Sequence, residues 1–456
     1  MTKYIVVVGG QYGDEGKGRI IDDLAPYVDV IVRFSGANNA GHTVVVNGRK
    51  YVFHSLPSGV LHAHCTNING PGFLTNIEQA PKELEQILAQ GIAPKLSWDV
   101  HSQVIMPWHT LIDRGKEEYR ASKNGRKIGT TGSGVGPAAE SRADRVTAFE
   151  LADLLGTEQQ IKEKIYMHIT DPELLLKLVA YHPRFRQFQS HSFEFILEAQ
   201  KGSPLELELR NYAAEVALLI HENMRILEPY LFHDTSLIVN SPHNRAVLFE
   251  GAQGTELDTI KGKKPYTTST PTLSYGACLA GIGPNKITDI LGVFKAYVTR
   301  VGGGLLETEL QGELSEYIRK RGNEYGATTA RPRRPGWFNI PEAIEAVRWN
   351  GMTGAIITKL DILDELEVIQ VGIERNSKGL GYTSKQGWRE DSGLCKTWDD
   401  LFSVRANPQR KEYLQFLEKS MGVPIVGVCI GDKRGQFILQ PGFQRYLAEL
   451  GVLSPS

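Results

Sequence analysis

The chain has 456 residues, 41% hydrophobic and 23% charged, with 51 Lys plus Arg against 52 Asp plus Glu. Such a composition belongs to a folded chain with material for a sizeable core. The net charge of −1 excludes the basic excess that a general nucleic-acid or anionic-membrane binder needs.

Near the start, Ile5 to Val8 is a short β-branched run ending in Gly9-Gly10, the pattern of a strand buried on both faces. A glycine-rich loop follows, and Arg19 to Leu24 reads as the opening of a helix. Val28 to Phe34 reads as a second strand, followed by the small-residue loop Ser35 to Gly41. Further strands are predicted at Ala246 to Phe249, Ile290 to Tyr297 and Ala355 to Thr358, each running into a loop rich in Gly, Thr or Arg. Alternating strands and helices imply an α/β fold with a large, mostly parallel central sheet flanked by helices, its ligands at the strands' carboxyl ends. The stretch 147–235 differs. Leu209, Tyr212, Ala213, Val216, Ile220 and Leu227 recur at three-to-four spacing, an amphipathic helix, and Asp171-Pro172 suits the start of another. We expect one α/β domain over 1–456, with 147–235 as a helical insertion. Glycine is over-used, 47 residues against about 7% in ordinary chains, which points to tight loops where backbone meets ligand. The four cysteines, Cys65, Cys278, Cys395 and Cys429, form no C-x-x-C pair, so neither a zinc site nor a disulfide framework is expected. With no leader-like segment and no long apolar span, we expect a cytoplasmic protein that binds neither nucleic acid nor membrane.

Gly9-Gly10-Gln11-Tyr12-Gly13-Asp14-Glu15-Gly16-Lys17-Gly18-Arg19 lies between strand and helix, where backbone N–H groups and a helix N-terminus favour anions. It reads as a P-loop-like nucleotide site but not a standard Walker A. That motif would place glycine at Gln11 and a hydroxyl residue at Gly18. The missing hydroxyl normally binds Mg²⁺, so another oxygen must serve, and Asp14 is the candidate. After the second strand, His42 stands among small residues with room for a ligand beside it. Together Asp14 and His42 form a carboxylate–imidazole pair fit for acid–base work.

These loops resemble the adenylosuccinate synthetase family. The resemblance rests on Gly13 to Gly18 and Asn39 to Thr43, then Gly129 to Gly132, Phe249 to Thr255, Thr299 to Gly302, Gly326 to Thr329 and Thr358 to Asp361, in the family's order. It implies a GTP-dependent carbon–nitrogen ligase that joins L-aspartate to IMP through a 6-phosphoryl-IMP intermediate, giving adenylosuccinate, GDP and phosphate. In that chemistry Asp14 would take the N1 proton of IMP, and His42 would assist the transferring phosphoryl group. Mg²⁺ would sit on Asp14 and the Gly41 carbonyl.

By the same resemblance, GTP would be held by Gly13, Glu15, Gly16, Lys17, Gly18, Arg19, Gly41, His42, Thr43 and Arg333. Lys359, Leu360 and Asp361 would read guanine, closed by Cys429, Ile430 and Gly431; Asp361 can accept from N1–H and the 2-amino group. IMP would meet Asp14, Lys17, Asn39, Ala40, Gly41, His42, Thr131, Gln253, Thr268 and Arg331, with Gln253 on the base. Aspartate would meet Ala327, Thr328, Thr329, Ala330, Arg331 and Arg333, since arginine forks suit carboxylates. Arg145 would reach the site of a second subunit, implying a homodimer.

The chain departs from the family at Ser133, where arginine is usual, and at Thr268-Ser269-Thr270-Pro271. It departs again at Ala330, where glycine is usual, and at Pro332 and Pro335. Such changes leave open a paralogue acting on another 6-oxopurine nucleotide or another amino acid. A GTP-hydrolysing switch is the alternative of another class, although a switch has no use for Gln253 or the Arg331/Arg333 loop.

Overall fold

The computed structural model describes residues 1–451 except 47, 126, 193–195, 197–201, 327–329, 378, 390–391 and 403–406. Strand β1 (Lys3–Gly9) is buried from Tyr4 onward. It lies inside a ten-stranded sheet with β2 (Val30–Arg33), β3 (Thr66–Asn69), β4 (Lys95–Asp99), β5 (Leu231–Phe232), β6 (Ala246–Glu250), β7 (Asp289–Lys295), β8 (Gly354–Thr358), β9 (Ile425–Cys429) and β10 (Phe437–Leu439). The spatial order is β10-β9-β8-β7-β1-β6-β2-β3-β4-β5. Every neighbouring pair is parallel except β9 with β10. The predicted mostly parallel sheet flanked by helices is the fold observed.

Both faces of this sheet are covered. Tyr4, Val6 and Val8 of β1 join Phe249, Phe294 and Ile357 in one core. Ile5 and Val7 point the other way, onto Ile20, Ile21 and Leu248. Side chains alternate across a strand, and with a core on each side the strand reads as one unbroken apolar run. β1 sits between β7 and β6, so the loop leaving it opens at the middle of the sheet's carboxyl edge, where ligands gather in such folds. The helix after that loop, α1 (Lys17–Leu24), starts at Lys17, two residues before the expected Arg19, because Gly16 takes a left-handed φ of 86° as its N-cap.

β7 ends at Lys295, short of the predicted Tyr297. The chain then turns into a short antiparallel ladder, Val298–Arg300 with Arg334–Gly336. Helices Glu158–Ile169, Pro172–Tyr181 and Pro204–Leu227 pack a further core around Trp98, Trp108 and Phe149. Asp171 caps the second of them and Ser203 the third, satisfying backbone N–H groups that a helix start leaves free. We read 147–235 as a helical insertion that ends by giving the sheet its edge strand β5.

Phe294 on β7 packs against the turn after β1. A Cβ on Gly10 would come within 2.2 Å of the Phe294 ring, and neither the ring nor the loop has free space. Gly10→Ala is therefore expected to destabilise the fold by about 1–3 kcal/mol, the usual cost of overpacking a core, read as a lower urea midpoint.

Candidate active site

The phosphate loop is shaped by side chains that fold back into it. Glu15 Oε1 accepts the backbone N–H groups of Gln11 at 3.1 Å and Gly13 at 2.8 Å, while Oε2 pairs with Lys17 Nζ at 2.8 Å. Both members of that pair are buried, so the Glu15 carboxylate faces the loop interior. Gln11, where a Walker loop has glycine, crosses to the end of β7. Its Nε2 donates to the Lys295 and Tyr297 carbonyls at 3.3 and 3.0 Å, and its Oε1 accepts from Lys295 N–H at 3.0 Å. Gly18, where a Walker loop has a hydroxyl, lies against His42: a Cβ there would meet His42 Cβ at 2.6 Å. The helix start and the histidine approach too closely for any side chain between them.

His42 opens a hairpin strand, His42–Val46, paired with Arg49–Phe53. Its Nδ1 is hydrogen-bonded to Glu250 Oε1, and Glu250 also accepts from Ser58 Oγ at 2.6 Å and Ser58 N–H at 2.9 Å. Burial pushes the Glu250 carboxyl up, but His42, Arg33 and Ser58 outweigh it and the net shift is downward. An ionised Glu250 fixes the proton of neutral His42 on Nδ1 and leaves Nε2 for a ligand. Burial also lowers the His42 pKa, against the pull of Glu250.

Asp14 is held on one side only. Oδ1 pairs with Arg333 Nη2 at 3.1 Å, whereas Oδ2 is buried without a partner. Burial raises its pKa, with Arg333 and then Lys295 pulling it back, a direction that suits a general base. Asp14 and His42 line one cavity of about 300 Å³ with Gly13, Asn39, Ala40, Gly41, Thr131, Gln253, Thr268 and Arg333. Gln253 adopts a left-handed φ of 53° and donates from Nε2 to Asn39 at 3.0 Å, its Oε1 buried and unpartnered. Thr268 Oγ1 is likewise buried and unpartnered. Buried polar atoms without partners are costly, and four of them, Asp14 Oδ2, Gln253 Oε1, Thr268 Oγ1 and Arg333 Nε, belong to residues lining this cavity.

Other predicted residues among those described lie off this cavity. Lys359, left-handed at φ 59°, donates to the Gly322 carbonyl at 2.6 Å. Asp361 has a buried, unpartnered Oδ1, and burial lifts its pKa to about 6 against the attraction of Lys359. Leu360, Cys429 and Ile430 are buried, and Gly431 lies against the Gln436 side chain. Arg19 pairs with Asp23 at 2.5 Å and donates to the Lys433 carbonyl, bracing the segment after β9. Thr43 is half-buried on the hairpin. Arg145, exposed at the C-cap of helix Val135–Asp144 with φ 74°, does not line the cavity.

Of the arginine loop, Ala327, Thr328 and Thr329 lie outside the described residues. Arg331 donates to the carbonyls of Gly129 at 3.1 Å and Thr130 at 3.3 Å, joining two loops. Pro335 sits in the two-stranded ladder opposite Thr299, where its missing N–H is tolerated.

Residues outside the predicted set complete the site. Glu250 and Ser58 orient His42. Glu324 accepts from Arg333 Nη1 at 2.6 Å, from Lys295 Nζ at 2.8 and 2.9 Å, and from Tyr297 Oη at 2.5 Å. The available signal was a charged residue closing an apolar run: Glu250 ends β6, and Lys295 ends β7 after Ile290 to Phe294.

Two substitutions probe this geometry. Glu250→Gln keeps the size but loses the charge that sets the His42 tautomer, and is expected to cut turnover about 100-fold or more with the thermal midpoint little changed. Ala330, at φ 51°, occupies a conformation that costs a non-glycine residue about 1–2 kcal/mol. Ala330→Gly should hold or raise the thermal midpoint, whereas the β-branched Ala330→Val should lower it.

The family model for adenylosuccinate synthetase matches residues 6–438. Adenylosuccinate synthetase of Geotalea daltonii is 37% identical over 459 residues, covering 95% of this chain and 98% of that protein. That of Alkaliphilus metalliredigens is 36% identical over 456 residues, covering 96% and 98%. Among solved structures, the fully ligated adenylosuccinate synthetase of Plasmodium falciparum superposes with a TM-score of 0.78 at 29% identity, covering 96% of this chain and 99% of that one. The succinoaminodeoxyadenylate synthetase of cyanophage S-2L shares the fold alone, with a TM-score of 0.59 at 17% identity over 99% of each chain. A match of this extent, on a sheet whose carboxyl edge carries the phosphate loop, Asp14 and His42, places the chain in the adenylosuccinate synthetase family of GTP-dependent ligases.

Proposed function

We propose that this chain joins L-aspartate to IMP at the expense of GTP, with Asp14 as the base and His42 as the partner of the transferring phosphoryl group. The observation that carries the reading is the shared cavity. Asp14 with a free Oδ2, His42 with Nε2 unengaged, Gln253 with a free Oε1 and Thr268 with a free hydroxyl all border it.

The 6-oxopurine carbon becomes electrophilic once O6 is a leaving group. Asp14 takes the N1 proton, which makes O6 nucleophilic toward the γ-phosphate; the bond to the β-phosphate oxygen breaks, GDP leaves and 6-phosphoryl-IMP forms. His42, held through Nδ1 by Glu250, meets the phosphoryl oxygens with Nε2 once that nitrogen is protonated, and the Glu250 carboxylate stabilises the imidazolium as charge develops. The aspartate amine then displaces phosphate from C6. Gln253 holds the base, with Asn39 and Ala40 beside it, and Thr131 and Thr268 take the 5′-phosphate. Arg331 and Arg333 receive aspartate. Gly13, Gly16, Lys17, Gly18 and Thr43 border the GTP phosphates, while Glu15 keeps the loop in shape. Lys359, Leu360 and Asp361, with Cys429 to Gly431, read guanine; the free Oδ1 of Asp361 is the acceptor such reading needs.

The donor set fits Mg²⁺: Asp14 and Gly41 border the same cavity, and the Asp14 carboxylate has two oxygens, one to hold the metal and the other to take the N1 proton. Magnesium usually takes one or two carboxylates and completes its shell with phosphates and water. When bound it neutralises charge on the phosphates. Arg145 is exposed and away from its own cavity, as a residue serving a second subunit must be, and we read the working form as a homodimer. No helix among the described residues is long and apolar enough to cross a membrane, in keeping with a cytoplasmic enzyme.

A steady-state assay with GTP, Mg²⁺, IMP and L-aspartate, following adenylosuccinate, tests the reading. Product is expected to require all three substrates and to vanish in Asp14→Asn and on chelation of the metal, with IMP binding retained. Turnover only with another purine nucleotide or amino acid would replace the substrate, and GTP cleavage needing neither would replace the class.

A further inference from the structure

Glu324 does not line the cavity, and among the described residues assigned to substrate its carboxylate bonds Arg333. It follows helix Gly312–Arg321 and is fully buried. A buried carboxylate is costly unless its lone pairs are filled, and here they are filled by Lys295, Tyr297 and Arg333. The grip on Arg333 is double. The Glu324 backbone carbonyl accepts Arg333 N–H at 2.9 Å, and the carboxylate accepts Nη1 at 2.6 Å.

The way Arg333 is gripped decides what it can offer. A guanidinium presents a bidentate edge through Nε and Nη2, and carboxylates prefer such an edge. Glu324 takes Nη1, the nitrogen outside that edge. On the edge itself, Nη2 meets a single oxygen of Asp14, and Nε is buried with no partner. Arg333 borders the cavity. Two cations, Lys295 and Arg333, balance two carboxylates, Glu324 and Asp14, so the array is neutral and fixed before any ligand arrives.

We propose that Glu324 is a positioning residue that fixes Arg333 by Nη1 so that its Nε–Nη2 edge, closed on Asp14 in this structure, can pass from Asp14 to the carboxylate of the incoming amino acid. The proposal rests on the reading of Arg333 as an aspartate-binding residue. Lys295 and Tyr297 serve it indirectly, by keeping the Glu324 carboxylate in place.

The test uses Glu324→Gln and Glu324→Asp in the full chain, with kinetics at saturating levels of the other substrates and a crystal structure of each variant. Losing a charge-assisted grip of this kind is expected to raise KM for L-aspartate about tenfold or more in Glu324→Gln. The KM for IMP should stay near the wild-type value, and the KM for GTP, which Arg333 is also expected to contact, should rise less than that for aspartate. Glu324→Asp keeps the charge one methylene shorter and should give an intermediate KM for aspartate, and it carries the test alone if the Gln variant does not fold. In the crystal structure the guanidinium should leave Asp14. An unchanged KM for aspartate, or an equal rise in all three KM values with no recovery in Glu324→Asp, overturns the proposal. So does an Arg333 still seated on Asp14 in the Gln variant. If wild-type turnover ignores aspartate, or Arg333→Leu leaves its KM unchanged, the reading of the aspartate site fails, while the crystal structure still decides whether Glu324 holds Arg333.

Discussion

Charges buried at the carboxyl edge of one parallel sheet are the constraint on which this site depends. β2 ends in Arg33, β6 in Glu250 and β7 in Lys295, and the loop after β1 carries Asp14, Glu15 and Lys17. An ion taken out of water needs a partner of opposite charge or several hydrogen bonds. Glu15 and Lys17 pair within their own loop, but three partners come from other parts of the chain: His42 for Glu250, Glu324 for Lys295, Arg333 for Asp14. Such pairs contribute little net stability against an apolar alternative. What they contribute is position. The loops that supply the partners have no freedom to sit elsewhere, and catalysis by prearranged charge needs that rigidity.

The same logic explains why the phosphate loop departs from the Walker pattern. In the common pattern a hydroxyl follows the lysine, and here that place is surrendered to His42, which packs on Gly18. The oxygen no longer available there has a counterpart in the unpartnered Oδ2 of Asp14. Gln11 replaces a small residue and anchors the loop to β7 with three hydrogen bonds. The strand it grips ends in Lys295, which holds Glu324. Loop, strand end and arginine are therefore one hydrogen-bonded unit.

Much of the framework was legible in the sequence because burial on both faces writes itself as apolar runs. β1, β6 and β8 follow such runs, and the helix Pro204–Leu227 follows its periodic apolar face. Strand order was not legible, since β1 lies beside β6 and β7, which come more than two hundred residues later. The hairpin His42–Phe53 was missed because its burial is partial and its strands short. Asp14 and His42 stood out among glycines and small residues. Glu250 and Glu324 did not, because their role lies in pairing with residues distant in sequence. Ala330 shows the limit from the other side. The sequence marks it as a departure, but only the left-handed φ shows why glycine would be easier there.

The site's two ends also meet in one short segment. Arg321 donates to the Asp361 carbonyl at 3.1 and 3.3 Å, and Lys359 Nζ donates to the Gly322 carbonyl at 2.6 Å. Two residues on, Glu324 holds Lys295 and Arg333. The residues proposed to read the nucleotide base and the arginine proposed to receive the amino acid are thus fixed to neighbouring residues of the same backbone. A hydrogen-bonded buried array has few arrangements open to it, so a shift of Lys359 displaces Gly322 and with it the carboxylate that orients Arg333. The proposed base-reading end and amino-acid end therefore share one support, the backbone between Arg321 and Glu324.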